Sequence, residues 1–120
     1  MNNRQDVMNI AEQFDAVVCS VGVHPLDVKE GLATGDNLQE WAAHPKVVAL
    51  GESGLDYYYS KDDMSLQQES FVVHLQAAKV AELPVIVHTR DARKDTIALI
   101  QEHGCQTHAG VLHCLSLIHI

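Results

Sequence analysis

The stretch Val47 to Tyr59, "VVALGESGLDYYY", opens as an apolar, β-branched run and ends in two carboxylates, Glu52 and Asp56, set among glycines and followed by three tyrosines. The run has the composition of a strand buried on both faces. Burying an unpaired carboxylate costs several kcal/mol, so a strand that delivers one to its end must supply a partner. The rest of the chain points to a bound cation.

Three other short apolar runs have the same character: Phe14 to Val23 ("FDAVVCSVGV"), Pro84 to Val87 ("PVIV") and Gly110 to Leu112 ("GVL"). Helical segments are expected between and before them. Asp36 to His44 opens on a capping residue and stops at Pro45. Ser65 to Glu82 opens with "SLQQ", a capping-box pattern, and carries Phe71, Leu75 and Ala78 on one stripe. Ala92 to His103 ends at Gly104, expected as its C-cap, and Arg4 to Gln13 forms a first helix. Strands alternating with helices make βαβ units and a parallel sheet, so the expected class is α/β, as one domain spanning 1–120.

Each run delivers a candidate ligand. In order these are His24 ("VGVHP"), Glu52 ("LGESG"), His88 ("VIVHTR") and His113 ("VLHC"), separated by 28, 36 and 25 residues by subtraction. Each interval is about one βα unit of roughly 30 residues, so all four emerge at the C-terminal edge of a parallel sheet. Imidazoles and a carboxylate gathered there suit divalent metal, since neutral imidazole ligates zinc-like ions and a carboxylate can span two ions. One strand-end histidine alone is as readily a hydrogen-bonded structural residue. Recurrence at repeat spacing favours the metal reading, and Glu52 stands out because Gly51 and Gly54 suit close backbone approach.

Other candidates are more ordinary. Asp56 is read as a supporting hydrogen bonder. Tyr57, Tyr58 and Tyr59 either stack on substrate bases or, more commonly for such a triplet, pack partly buried. Arg90 and Arg93 suit an anionic substrate or a helix start, and Asp91 is expected to cap the helix. His44, His74 and His103 are expected to be solvated on helix surfaces or ends. Cys19 and Cys114 are read as small apolar strand fillers, with zinc ligation by Cys114 less favoured because adjacent strand residues face opposite sides.

Composition limits the alternatives. Eight Lys and Arg against 16 Asp and Glu give a formal net charge of −8, so no broad basic surface exists to hold a phosphate backbone, and an anionic substrate needs bound cations. Three cysteines, Cys19, Cys105 and Cys114, without CxxC spacing, fit a reducing compartment. No apolar run approaches the roughly 20 residues of a membrane span. The expectation is a cytoplasmic protein with neither membrane nor obligate protein partner.

The strings "VGVHP", "LGESGLDYYY", "QQESFVVHLQAAKVAELPVIVHTRDA" and "GVLHC" resemble, in order and spacing from Phe14 to Cys114, the TatD family of metal-dependent deoxyribonucleases and hydrolases, specifically its bacterial housekeeping branch. The resemblance implies a partial (β/α)8 TIM barrel, about strands two to five with their helices. It also implies two divalent ions (Mg²⁺, Mn²⁺ or Zn²⁺), with Glu52 bridging them as the catalytic carboxylate and His88 and His113 as ligands. His24 matches a motif on the substrate side or behind the ligands, where Asp56 and Arg90 are also placed. The implied chemistry is phosphodiester hydrolysis of DNA, as a 3′-exonuclease, by a hydroxide activated between the ions.

Two departures qualify that expectation. The family's first strand carries an "HxH" ligand pair and a later one a "TDSP"-like aspartate, and neither string occurs here. A fragment is therefore expected, marginally folded and inactive in isolation, with Leu115 to Ile120 a non-native tail. The alternatives are a single-metal hydrolase of a small amide or ester, and a truncated non-catalytic module.

Overall fold

A computed structural model describes residues 4–104 and 110–113. Four parallel strands form one sheet: β1 (Cys19–Val21), β2 (Val47–Asp56), β3 (Val85–Arg90) and β4 (Val111–His113). Helix α1 (Arg4–Gln13) precedes them, α2 (Gly35–Ala42) joins β1 to β2, α3 (Met64–Ala81) joins β2 to β3, and α4 (Arg93–His103) precedes β4. The spatial order β1-β2-β3-β4 follows the chain. Such an order lacks the reversal of a doubly wound sheet and is that of consecutive (β/α) barrel units. The chain is thus a partial α/β barrel. Among the described residues no helix is long and apolar enough to cross a membrane.

The core lies between the strands and the helices that cover them. Leu38 of α2, Phe71 of α3, and Leu50 and Leu55 of β2 are all fully buried. Burying side chains of that size stabilises by about 1.5–3 kcal/mol each, and β2, hidden along nearly its whole length, carries two of these four.

Several boundaries differ from the sequence expectation, each for a physical reason. The first apolar run yields only three strand residues. Phe14 to Val17 instead closes a turn, Val17 N–H donating to Phe14 O at 3.0 Å, and Lys46 Nζ holds the carbonyls of Phe14, Asp15 and Val17 at 3.0–3.1 Å. The second run continues through Glu52 to Asp56, so Glu52 lies within the strand and not beyond its end. Thr34, not Asp36, caps α2, in a reciprocal capping box with Asn37. "SLQQ" makes no such box, because α3 starts at Met64, and Asp63 at its N-cap position makes no capping bond. Asp63 Oδ1 accepts instead from Ser60 Oγ and Gln67 Nε2 at 2.7 and 2.8 Å. Asp91 does not cap α4; it takes a left-handed turn (φ 51°), and Ala92 occupies the cap position without a side-chain bond. Gly104 does end α4, though in extended backbone (φ −72°), and a Cβ there would strike Ile100 O. Cys19 fills the core as expected, with its Sγ 3.9 Å from Met8 Sδ and its thiol pKa raised by burial. Cys105, Cys114 and the segment 115–120 lie outside the described residues.

Candidate metal centre

Glu52 reaches the site through an irregularity in β2. Gly51 pairs with Ile86 and Ser53 with Val87, so Glu52 is an extra residue opposite no partner on β3. A bulge of this kind re-aims a side chain. Its flanking glycines are required by geometry: Gly51 and Gly54 have φ of 144° and 142°, a Cβ on Gly51 would come 2.6 Å from Ile86 O, and one on Gly54 would strike His88 O. The glycine pattern therefore encodes the close approach of β2 to β3.

His88 is fixed from behind. It lies on β3 and is 6% exposed; its Nε2 is 2.9 Å from Asp56 Oδ2. Asp56 is itself 1% exposed, and its other oxygen accepts the backbone N–H groups of Tyr58 and Tyr59 at 3.1 and 2.9 Å. A carboxylate accepts, so in the neutral imidazole the proton sits on Nε2 and the lone pair on Nδ1. That Nδ1 lies 3.5 Å from Glu52 Oε1. Two ligand atoms on a tetrahedral ion, each about 2.0–2.1 Å from it, stand about 3.4 Å apart. Two lone-pair atoms at that spacing fit a shared cation, and the donor set is one that divalent metal accepts.

His24 arrives differently. It follows β1 and opens a 3-10 turn (Pro25–Glu30), its Nδ1 accepting Leu26 N–H at 3.1 Å. In the neutral ring the proton therefore sits on Nε2, which lies 3.5 Å from Glu52 Oε1. Burial, reinforced by His88 nearby and opposed by Glu52, lowers the His24 pKa and favours that neutral form. The rings of His24 and His88 stand 4.5 Å apart, and ligand atoms of His24, Glu52 and His88 lie within 4.8 Å of one another. The three converge, but as arranged His88 offers a lone pair and His24 a hydrogen. A cleft of about 210 Å³, lined by Ser20, Gly22, His24, Asp27 and Glu52 among others, opens beside them.

The remaining sequence candidates separate. His113 pairs with His88 across β3 and β4, which puts its backbone at the same strand level; its side chain lies outside the described residues. Arg90 lies opposite Asp56 in register, half-buried, its guanidinium against Tyr58 and Tyr59. Tyr57 packs partly buried as expected, donating to Asp95 at 2.8 Å, and burial pushes its pKa up to about 12; Tyr58 and Tyr59 are exposed. His44 is partly buried, pairing with Glu12 at 3.0 Å and accepting Lys46 N–H.

His74 contradicts the expectation of a solvated histidine. It is completely buried, Nδ1 donates to Ser70 O at 2.7 Å, and Nε2 accepts Val23 N–H at 3.0 Å, one residue before His24. Burial depresses its pKa to about 4. Gly22 makes room for it, since a Cβ there would come 2.9 Å from Nε2. Its signal was positional: His74 is three residues after Phe71 and four before Ala78, on the buried stripe. Gln67, also fully buried, was missed as well. It brackets Asp56, accepting its N–H at 2.7 Å and donating to its carbonyl at 3.1 Å.

The family model described as TatD related DNase matches residues 1–117. An Escherichia coli K12 protein named uncharacterized metal-dependent hydrolase YcfH is 50% identical over 108 residues, covering 90% of this chain and 40% of that protein. The 3'-5' ssDNA/RNA exonuclease TatD of the same organism is 32% identical over 117 residues, covering 97% and 45%. The crystal structure of the E. coli TatD homolog YJJV superposes with a TM-score of 0.73 at 28% identity, covering 85% of this chain and 40% of that one. The chain spans less than half the length of these relatives.

Proposed function

The chain belongs to the TatD-related DNase family, and from that premise we propose that it carries the glutamate and histidine core of a metal-dependent hydrolase that cleaves phosphodiester bonds in DNA from the 3′ end. The observation that carries this reading is the 3.5 Å pairing of Glu52 Oε1 with the lone-pair nitrogen of His88, backed by Asp56. Glu52 and His88 would hold the metal, and His113, whose backbone lies at the same level on the next strand, would be a further ligand. Divalent metal held there, read as two ions, would supply Lewis-acid polarisation of a phosphoryl oxygen and an acidified attacking water. Of the three, Glu52 alone has two ligand oxygens, and it would be the ligand the ions share. Asp56 keeps the His88 proton on Nε2, and His24 directs its Nε2–H at Glu52 or at a substrate oxygen.

A formal charge of −8 repels a polyanion, so substrate binding must depend on the metal. The test is fluorescence anisotropy of a labelled single-stranded DNA, with and without Mn²⁺. Binding should need Mn²⁺, vanish with chelator and fall at least tenfold in Glu52→Gln; binding that survives chelator would contradict the proposal. Because Glu52, His88 and His113 alone do not supply two full coordination shells, the 120-residue chain should bind DNA without measurable turnover. Mn²⁺-dependent nucleotide release that Glu52→Gln abolishes would overturn that last point. The convergence of His24, Glu52 and His88 on one place favours a second reading, a single-ion hydrolase of small esters or amides. Metal-dependent cleavage of p-nitrophenyl acetate without DNA binding would select it.

A further inference from the structure

Whereas Arg4 lies over Trp41 alone, Arg90 lies against two aromatic rings at once. Its guanidinium carbon sits 4.2 Å over the Tyr58 ring and 4.9 Å over the Tyr59 ring, and the two rings meet edge to face at 4.8 Å. One N–H reaches Tyr59 Oη at 3.5 Å, and among the described residues no carboxylate lies within ion-pairing distance of it. Here ring faces hold it instead, which fixes the plane of the fork while leaving most of its five donors unspent.

Its position gives the donors a target. Thr89 points away from the site, its Oγ1 2.9 Å from Thr96 Oγ1 of α4. Alternation along β3 therefore puts His88 and Arg90 on the other face together, with Arg90 about 6.6 Å further toward the C-terminal edge. The same strap sets both: Asp56 binds His88 with one oxygen and the N–H groups of Tyr58 and Tyr59 with the other, and Tyr57 N–H donates to Arg90 O at 3.0 Å. The ring pair that orients Arg90 is thus built on the residue that orients His88.

We propose that Arg90, clamped by Tyr58 and Tyr59, is a phosphate-recognition subsite that receives a phosphodiester oxyanion of the substrate beside the metal centre. The proposal rests on the phosphodiesterase reading above and specifies which residue takes the anion. A planar guanidinium binds phosphate bidentately, and a pre-oriented one loses little entropy in doing so. The tyrosines serve as the clamp and not as a stacking platform for bases.

The test measures labelled single-stranded DNA by anisotropy in Mn²⁺ across a salt series, alongside Mn²⁺ titration calorimetry. Arg90→Gln should weaken DNA binding about tenfold or more and lower the slope of log K against log salt by about 0.7, the value for one phosphate contact on a single strand. Mn²⁺ affinity should stay unchanged. Arg90→Lys should keep the salt slope while losing part of the affinity, and Tyr58→Leu with Tyr59→Leu should cost about two- to fivefold. The Arg90→Gln loss should be equal on an oligonucleotide with abasic sites. A loss confined to base-bearing DNA would make the cluster a base platform and overturn the proposal, as would an unchanged salt slope. Should the unaltered chain bind no DNA, the proposal falls, and calorimetry then shows whether the metal site fell with it.

Discussion

His24 and His88 end 4.5 Å apart over the same carboxylate, yet the chain carries them there by opposite means. His88 lies on β3, in a ladder with the ten-residue β2, and its far nitrogen is locked by a buried aspartate. His24 follows a three-residue strand and is steadied by its own turn and by the bond that the preceding residue's N–H donates to distant His74. The difference teaches that proximity does not fix role. What each ring can offer is decided by its other nitrogen: a carboxylate behind His88 exposes a lone pair, and an N–H behind His24 exposes a proton.

The largest break should come on the β2–β3 side. Gly54→Ala places a methyl against His88 O at φ 142° and should cost roughly 3 kcal/mol or more in urea unfolding. A loss under about 1 kcal/mol would mean that the two strands are not in this contact.

On the β1 side the corresponding break is His74→Phe. It leaves the buried Val23 N–H without its acceptor and should cost about 1–3 kcal/mol. It should also change the acid response. The folded chain keeps His74 neutral down to about pH 4, while the unfolded chain protonates it below its ordinary 6.5. Its neutral burial is thus without penalty above pH 6.5 and costs up to about 1.4 kcal/mol per unit as pH falls toward 4. Unfolding measured between pH 7 and 4.5 should show the unaltered chain losing stability faster than His74→Phe; parallel curves would contradict the burial.

A smaller and more selective effect is expected of Asp56→Asn. The amide oxygen can still accept from Tyr58 and Tyr59, but the preference for a proton on His88 Nε2 is weakened. Metal affinity should fall about 10–100-fold with the fold intact. Unchanged affinity in calorimetry would remove Asp56 from the site.

The legible part of this fold is the part written in runs. Strands buried on both faces leave apolar stretches, and these stretches mark where β1, β2, β3 and β4 run. Gly51 and Gly54 announced a close approach and the structure has one. The sequence names no partner where a polar side chain spends itself on a backbone group far along the chain, even where, as for His74, its position on the buried stripe marks it as internal. His74 meets Val23 across 51 residues and Gln67 meets Asp56 across 11, and at helical positions both residue types look solvated. The bulge at Glu52 was hidden too, since one extra residue in a strand leaves the local composition unchanged.

The asymmetry between the two histidines is tested most directly by Zn²⁺ or Mn²⁺ titration calorimetry of His88→Gln beside His24→Gln. His88→Gln should weaken metal binding at least tenfold, as Glu52→Gln does, while His24→Gln should stay within about threefold of the unaltered chain. Equal losses for the two would show that His24 is a ligand of the same rank and contradict the assignment of a lone pair to one ring and a proton to the other.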